Sequence, residues 1–143
     1  MNELALFDTS AWIRALRKDY DPAAKTLLEK VLDEDRLVIL PIIKVELLAG
    51  TRSETDFRRL KSRLDAIPEI PLGRNAWEVI QELAYRLRRH GLEIPLVDTI
   101  ILAGAKIAGA RLYHRDGHFE MARAFFSLPM NDLRQGPRSP RPS

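Results

Sequence analysis

The repeated alternation of short apolar runs with longer segments of helical periodicity limits this chain to few folds. Continuous apolar runs of four residues, such as Leu4–Phe7 and Leu37–Leu40, are typical of strands that are buried on both faces. Strands that are joined through a helix pair in parallel, because the crossover brings the chain back to the same end of the sheet. The sequence therefore predicts the α/β class, with a three-layer α/β/α arrangement around a central, mostly parallel sheet.

The predicted elements follow one another along most of the chain. The strands are expected at Leu4–Phe7, Leu37–Leu40, around Ile70 and at Ala110–Tyr113. The helices are expected at Ser10–Lys18, Pro22–Asp33, from about Ile42 to Gly50, and then at Ser53–Ala66, Arg74–His90, Leu96–Gly109 and about Phe119–Ala124. Asp21 and Ser53 are suited to cap the second and fourth helices, and Gly50 is suited to a left-handed C-cap.

The length and composition predict one domain followed by a short tail. A chain of 143 residues suits a single compact domain, which we expect over residues 1–134. Residues 135–143 are expected to form a disordered basic tail, because GPRSPRPS contains no apolar side chain to bury. No apolar run reaches the roughly 20 residues of a membrane span, and the N-terminus lacks the pattern of a signal peptide. We therefore expect a cytoplasmic protein without a membrane partner.

The composition also limits the chemistry. The chain contains no cysteine, which excludes disulfide frameworks, thiolate zinc sites and cysteine nucleophiles. Any bound metal would therefore be held by oxygen or by imidazole. The formal charge of +3 and the pI near 9.4 permit a polyanionic partner without requiring one.

Two acidic residues follow predicted strands closely. Asp8 ends the apolar run in ELALFDTSAW, and Asp116 lies just beyond the last clear strand in YHRDGHF. Open parallel sheets bind ligands beyond the carboxyl ends of their strands, which is where both side chains are expected. Each also has a purely structural interpretation, since Asp8 would cap the next helix and Asp-Gly is typical of a turn.

Two further acids interrupt apolar segments. Glu46, in LPIIKVELLAG, shares its helical face with apolar residues, which predicts a buried carboxylate that needs a cation. Lys44 is two positions away and points to another side of the helix, so a salt bridge to a distant arginine is the structural alternative. Asp98 is the only acid in PLVDTIILAGA, where a first-turn aspartate would also complement the helix dipole.

The four acids together are more specific than any one of them. Carboxylate oxygens are hard ligands that suit Mg²⁺ or Mn²⁺, and crowded carboxylates repel one another until a divalent cation neutralises them. The constellation therefore predicts an oxygen-rich metal site and disfavours zinc.

The motifs FDTSAWI, IIKVELLAG, PLVDTIILAGA and RDGHF, in this order and at these spacings, make residues 1–128 resemble the PIN-domain ribonucleases. The resemblance is to the VapC-type toxins of bacterial and archaeal toxin–antitoxin pairs in particular. It implies a PIN-like fold and a metal-dependent endoribonuclease that hydrolyses RNA phosphodiester bonds. The implied catalytic and metal-binding residues are Asp8, Glu46, Asp98 and Asp116, which would hold Mg²⁺ or Mn²⁺. We expect Asp8, Asp98 and Asp116 to be the first ligands.

The resemblance also implies partners and supporting residues. The expected partners are an RNA substrate, a cognate antitoxin protein and a second copy in a homodimer. Thr9, or rather Ser10, would place a hydroxyl beside the acids without binding the metal. The family usually has Thr or Ser two positions before the fourth acid, whereas this chain has His114, which would support Asp116 or touch substrate phosphate. That departure keeps open the alternative of a non-catalytic PIN-like protein-interaction module.

Other histidines and basic residues have weaker interpretations. His114 and His118 are four residues apart, but the intervening Asp116 and Gly117 predict a turn and disfavour a zinc site. His118 is therefore expected to be a turn or surface residue. Positive charge around the site is expected from Arg14, Arg17 and Lys18, and a second basic face from Arg52, Arg59 and Arg63.

Several large apolar residues on the fourth and fifth predicted helices are most simply assigned to the core. They are Phe57, Leu60, Leu64, Trp77 and Tyr85, and the fifth helix carries the stripe Trp77, Ile80, Ala84 and Leu87. Helices of this kind in VapC-like proteins also form the dimer and the antitoxin-binding groove, so both uses remain open.

Overall fold

The apolar runs pair as strands of one sheet in a computed structural model that describes residues 3–17 and 21–135. The strands are β1 (Leu4–Phe7), β2 (Leu37–Val38), β3 (Ala110–His114) and β4 (Met130–Asp132). The helices are α1 (Thr9–Leu16), α2 (Pro22–Asp33), α3 (Pro41–Ala49), α4 (Glu54–Asp65), α5 (Arg74–Arg89), α6 (Leu96–Ala108) and α7 (Gly117–Ala122), followed by a 3-10 helix at Leu133–Gln135. Lys18 and residues 136–143 of the predicted tail lie outside the described residues. None of the described helices is long and apolar enough to cross a membrane.

The sheet is parallel throughout and has the strand order β2-β1-β3-β4. The central pair is β1 and β3, in which Leu6 lies opposite Leu112 and Phe7 lies opposite Tyr113. Helices flank this sheet and share one apolar core with it. The α/β class with a central parallel sheet is therefore confirmed. The register also brings the residues that follow Phe7 and Tyr113 to the same edge of the sheet.

The sheet differs from the prediction at its two outer strands. β2 ends at Val38, and Ile39 forms a single parallel bridge with Glu69. Only this bridge is present where a strand was expected around Ile70. The Ile70 backbone N–H donates to the Ile39 carbonyl at 2.8 Å. β4 was not predicted, because its three residues Met-Asn-Asp include only one buried apolar side chain. Its place is set by pairing with β3 and not by local sequence.

The predicted N-caps are confirmed and one C-cap prediction is wrong. The side chains of Asp21 and Ser53 accept hydrogen bonds from the first turns of α2 and α4. Gly50 has a φ of −82°, so it does not end α3 in the left-handed conformation. Left-handed glycines instead follow α5 at Gly91 and end α6 at Gly109.

The buried face of α5 matches the predicted stripe only in part, since Ile80 and Leu87 are buried as predicted whereas Trp77 is not. Its buried residues are Ala76, Ile80, Leu83 and Leu87. Trp77 is 43% exposed and Tyr85 is 66% exposed, so assigning them to the core was wrong. On α4, Leu64 is buried, whereas Phe57 is 39% exposed. These exposed rings leave an apolar surface on α5 that the described chain does not cover.

The helix that carries Asp98 packs closely because of a glycine. A Cβ added at Gly104 of α6 would meet Leu40 Cδ2 at 2.7 Å and Cδ1 at 2.8 Å. Leu40 is itself completely buried, so its side chain could move only by repacking the surrounding core. Gly104 therefore sets how near α6 lies to the chain that leaves the sheet after β2.

A larger residue at this contact should destabilise the fold. We expect Gly104→Val to lower the free energy of unfolding by about 2 kcal/mol, because overpacking outweighs the small gain in helix propensity. Ile107→Val, at a position of the same helix that is 43% exposed, is the control and should be nearly neutral. Urea denaturation of both variants tests this, and equal stability would contradict the close packing of α6.

Candidate active site

Asp8 lies at the carboxyl end of β1 and is 3% exposed. Its backbone N–H donates to the Tyr113 carbonyl at 3.0 Å, which ties it to the end of β3. Its carboxylate caps α1 by accepting from the Ala11 N–H at 2.8 Å, and the Ser10 hydroxyl donates to it at 2.7 Å. The capping interpretation is therefore correct. Capping does not exclude a role in the site, because the same carboxylate also interacts electrostatically with other acids.

Burial raises the pKa of Asp8 to about 6. The hydrogen bonds from Ala11 and Ser10 oppose this rise, and the charges of Asp98 and Asp116 add to it. Those two acids come from α6 and from the start of α7, far from Asp8 in sequence. The shift therefore indicates that three of the predicted acids share one electrostatic environment.

Asp98 occupies the first turn of α6, with a side chain that is 17% exposed. Burial, and then the charge of Asp116, raises the pKa of Asp98 to about 6, with a smaller contribution from Glu46. The interaction with His118 lowers the pKa of Asp98 and so opposes this rise. A carboxylate that is both buried and surrounded by like charges favours either a proton or a cation.

Asp116 is the N-cap of α7, so the turn interpretation is also correct. Its Oδ1 accepts a hydrogen bond from the His118 backbone N–H at 2.9 Å. Its own backbone N–H donates to His114 Nδ1 at 3.2 Å. The carboxylate is thus positioned from both sides of the turn that connects β3 to α7.

Glu46 differs from the prediction because it is exposed. α3 rests on the core through Ile43 and Leu47, which leaves Glu46 at the margin of the buried face. Its Oε1 accepts a hydrogen bond from Thr9 Oγ1 at 2.6 Å. Lys44 points away, as its spacing predicts, and pairs with Asp65 at 2.7 Å. Glu46 is therefore connected to the site by its hydrogen bond with Thr9 of α1, and not by burial in the core.

The two neighbouring hydroxyl residues serve different acids. Ser10 donates to both oxygens of Asp8, at 2.9 and 2.7 Å. Thr9 instead donates to Glu46. The two expected hydroxyl positions are therefore not alternatives, because each one orients a separate carboxylate.

His118 is the residue that sequence reasoning missed. Its Nδ1 lies 3.3 Å from Asp98 Oδ2 and 3.0 Å from Asp116 Oδ1. Asp98, Asp116 and His118 each offer one ligand atom, and these atoms lie within 4.8 Å of one another. The spacing Asp-Gly-His carries a signal in hindsight, because an aspartate that caps a helix holds the residue two positions later against its own carboxylate.

His114 is completely buried, so the expected contact with substrate phosphate is wrong. Since the Asp116 N–H is a donor, Nδ1 of His114 accepts and Nε2 donates to Glu120 Oε1 at 3.0 Å. Burial lowers the pKa of His114, which favours this neutral form. Among the described residues, His114 and His118 belong to separate groups of side chains that could hold a metal ion.

The acids near His114, which are Glu120 and Asp132, form ion pairs with neighbouring arginines. Hydrogen bonds from Arg123 hold the pKa of Glu120 below its usual range. Arg134 does the same for the pKa of Asp132. This cluster therefore suits a supporting role beneath Asp116 better than a second metal site.

Known proteins resemble this chain in sequence. A family model described as PIN domain matches residues 5–124. The chain is 30% identical over 126 residues to ribonuclease VapC18 of Mycobacterium tuberculosis, which covers 85% of this chain and 89% of the relative. It is 27% identical over 139 residues to ribonuclease VapC11 of the same species, which covers 92% of this chain and 100% of that relative.

Solved structures resemble it in fold. VapBC2 from Rickettsia felis, bound to a DNA fragment from its promoter, superposes with a TM-score of 0.74 at 18% identity, covering 91% of this chain and 98% of the other. A toxin–antitoxin complex from Klebsiella pneumoniae has a TM-score of 0.62 at 26% identity, covering 79% and 87%. The first of these similarities concerns the fold alone.

Removing the charge of Asp8 should stabilise the metal-free protein at neutral pH. Because the pKa of Asp8 is raised on folding, the folded state binds this proton more tightly than the unfolded state does. The stabilisation from the proton is fully present below about pH 4 and is lost as the pH rises through about 6. We expect the change in the free energy of unfolding caused by Asp8→Asn to be about 2 kcal/mol more favourable at pH 7.5 than at pH 4. The substitution keeps a side chain that can cap α1.

Urea denaturation in the presence of a chelator at the two pH values measures this difference. Asp33→Asn, at an exposed position at the end of α2, is the control and should show no such pH dependence. An equal effect of Asp8→Asn at both pH values would contradict the electrostatic description of the cluster.

Proposed function

Because the chain belongs to the PIN-domain family, we propose that it is a metal-dependent endoribonuclease and the toxin of a toxin–antitoxin pair. The supporting observation is the convergence of Asp8, Asp98 and Asp116, with raised pKa values for the first two, at the carboxyl edge of the parallel sheet. Relatives named as ribonucleases cover nearly the whole chain. The protein would act in the cytoplasm, where its RNA substrate lies.

Asp8, Asp98 and Asp116 would hold the cation, which we propose to be Mg²⁺ or Mn²⁺. The donors fit such an ion, since hard carboxylates predominate and burial disfavours leaving their charges uncompensated. A bound divalent cation supplies easier deprotonation of the attacking water and offsets charge on the phosphoryl oxygens. The resulting reaction is hydrolysis, in which water adds to phosphorus and the bond from phosphorus to the leaving ribose oxygen breaks.

The remaining polar residues orient the acids. Ser10 fixes the Asp8 carboxylate, and Thr9 fixes one oxygen of Glu46. Glu46 is the most exposed of the four acids, which makes it the one best suited to receive a proton from water. Asp8 and Asp98 are less exposed, and a nearby cation would stabilise their charged forms.

The partners follow from the same family assignment. We propose an RNA substrate, a cognate antitoxin protein and a homodimer; the antitoxin is supported by a structural relative that is described as a toxin–antitoxin complex. Trp77 and Tyr85 provide exposed aromatic surface on α5 for protein contacts. Arg52, Arg59 and Arg63 are exposed on and before α4 and would contact the polyanionic substrate.

The non-catalytic alternative depends on His114 having disabled the last motif. The observed hydrogen bonds argue against this, because His114 accepts from the Asp116 N–H and is itself held by Glu120. A buried side chain of a different type thus still anchors the fourth acid. The catalytic proposal is therefore favoured over a pure interaction module.

Cleavage of RNA by purified protein tests the proposal directly. With Mn²⁺ and structured RNA, we expect Asp8→Asn and Asp98→Asn each to reduce cleavage by about a hundredfold or more, because each removes a charge from the metal site. Asp33→Asn is the matched control and should cleave like the wild type. Equal cleavage by all four proteins, or by none, would refute the catalytic proposal.

The role of His114 is tested by separating packing from positioning. Phe119 is also buried and its ring lies 5.0 Å from that of His114, so Phe119→Leu is a packing control. We expect His114→Leu to lose about 2 kcal/mol of stability, because Glu120 and the Asp116 N–H lose a partner. Only His114→Leu should also weaken stabilisation by Mn²⁺, measured by thermal denaturation. An unchanged response to Mn²⁺ would contradict the anchoring role.

A further inference from the structure

We propose that His118 is a nitrogen ligand of the cation bound by Asp98 and Asp116, and that it shifts the preference of the site from Mg²⁺ towards Mn²⁺. This inference rests on the proposed function, because it assumes a divalent cation among the acids. It adds a residue to the acidic set and assigns it a measurable consequence. Its basis is the position of the imidazole between the two carboxylates.

The separations of the donor atoms match those of one coordination sphere. His118 Nδ1 lies 3.0 Å from Asp116 Oδ1 and 3.3 Å from Asp98 Oδ2. Neighbouring ligand atoms of an octahedral ion with bonds of 2.1 Å are about 3 Å apart. His118 Nδ1 is therefore at the separation expected for a ligand position next to each of the two carboxylates around one ion.

The burial and hydrogen-bond geometry of His118 Nδ1 are a second observation. The side chain is 41% exposed, but Nδ1 itself is buried and makes no aligned hydrogen bond with the described residues. A buried polar atom without a partner costs free energy, so such atoms in native proteins usually have a partner in the functional state. A cation between the two carboxylates would provide one.

The backbone holds the imidazole in this position. The His118 N–H donates to Asp116 Oδ1, and the Asp116 N–H donates to the buried His114. Asp116 and His118 are therefore oriented as a pair by the turn before α7. A ligand that is already oriented loses little conformational entropy when it binds an ion.

An alternative role is that His118 only compensates the two acids when no cation is present. The two roles predict opposite effects of removing the ring. A compensating histidine competes with the cation, so its loss would strengthen the binding of every divalent ion. A ligand contributes to binding, so its loss would weaken it. Imidazole suits transition-metal ions better than Mg²⁺, which prefers oxygen, so the loss should be larger for Mn²⁺.

Thermal denaturation across titrations of Mn²⁺ and of Mg²⁺ distinguishes these roles. We expect His118→Ala to weaken the apparent affinity for Mn²⁺ by about tenfold or more and that for Mg²⁺ by clearly less. His90→Ala, at an exposed histidine that ends α5, is the control for adventitious binding and should leave both affinities unchanged. Melting without metal checks that each variant is folded.

Electron spin echo measurements on the Mn²⁺ complex provide a direct readout. We expect coupling to a nitrogen nucleus in the wild type and in His90→Ala, and its loss in His118→Ala. Equal or stronger binding of both ions by His118→Ala, or no nitrogen coupling in the wild type, would overturn the inference and leave the proposed function intact. Absence of any metal response in the wild type would overturn both.

Discussion

The parallel pairing of β1 with β3 is the constraint on which the rest of the site depends. Because Phe7 lies opposite Tyr113, β1 ends one residue before the end of β3, and each strand is followed within a few residues by a helix. Asp8 is tied to this edge by its hydrogen bond to the Tyr113 carbonyl. Two segments that are more than a hundred residues apart are thereby brought together. Asp98 of α6 lies near them, because its charge contributes to the raised pKa of Asp8.

This arrangement concentrates negative charge in a place where solvent cannot screen it fully. Asp8 and Asp98 both have raised pKa values because burial and neighbouring acids act in the same direction. The neighbouring cluster behaves in the opposite way, because Arg123 and Arg134 hold the pKa values of Glu120 and Asp132 below their usual range. The two clusters are joined at Asp116, whose backbone N–H donates to His114, and only the neutralised one is suited to structural support. The contrast explains why the acids around Asp98 are better understood as a binding site than as a salt-bridge network.

Local sequence predicted much of this, and its failures have identifiable causes. The caps at Asp21 and Ser53 and the strand at Leu4–Phe7 follow from interactions within a few residues, and the structure has them where expected. Glu46 was expected to be buried, because apolar neighbours share its helical face, yet α3 presents only part of that face to the core. For the same reason α5 buries Leu83 and exposes Trp77, since the rotation of a helix depends on its packing partners and not on its own periodicity.

The sequence by itself determined the order of the helices and of most strands, and the position of acids at strand ends and in first turns, because apolar periodicity and capping are local properties. Only the tertiary structure decided that His118 lies between Asp98 and Asp116, that His114 is buried beneath them, and that Thr9 reaches Glu46. These contacts join segments whose spacing along the chain contains no information about distance. Their geometry is set by how the sheet and its helices pack together, so it emerges only when the whole core is assembled.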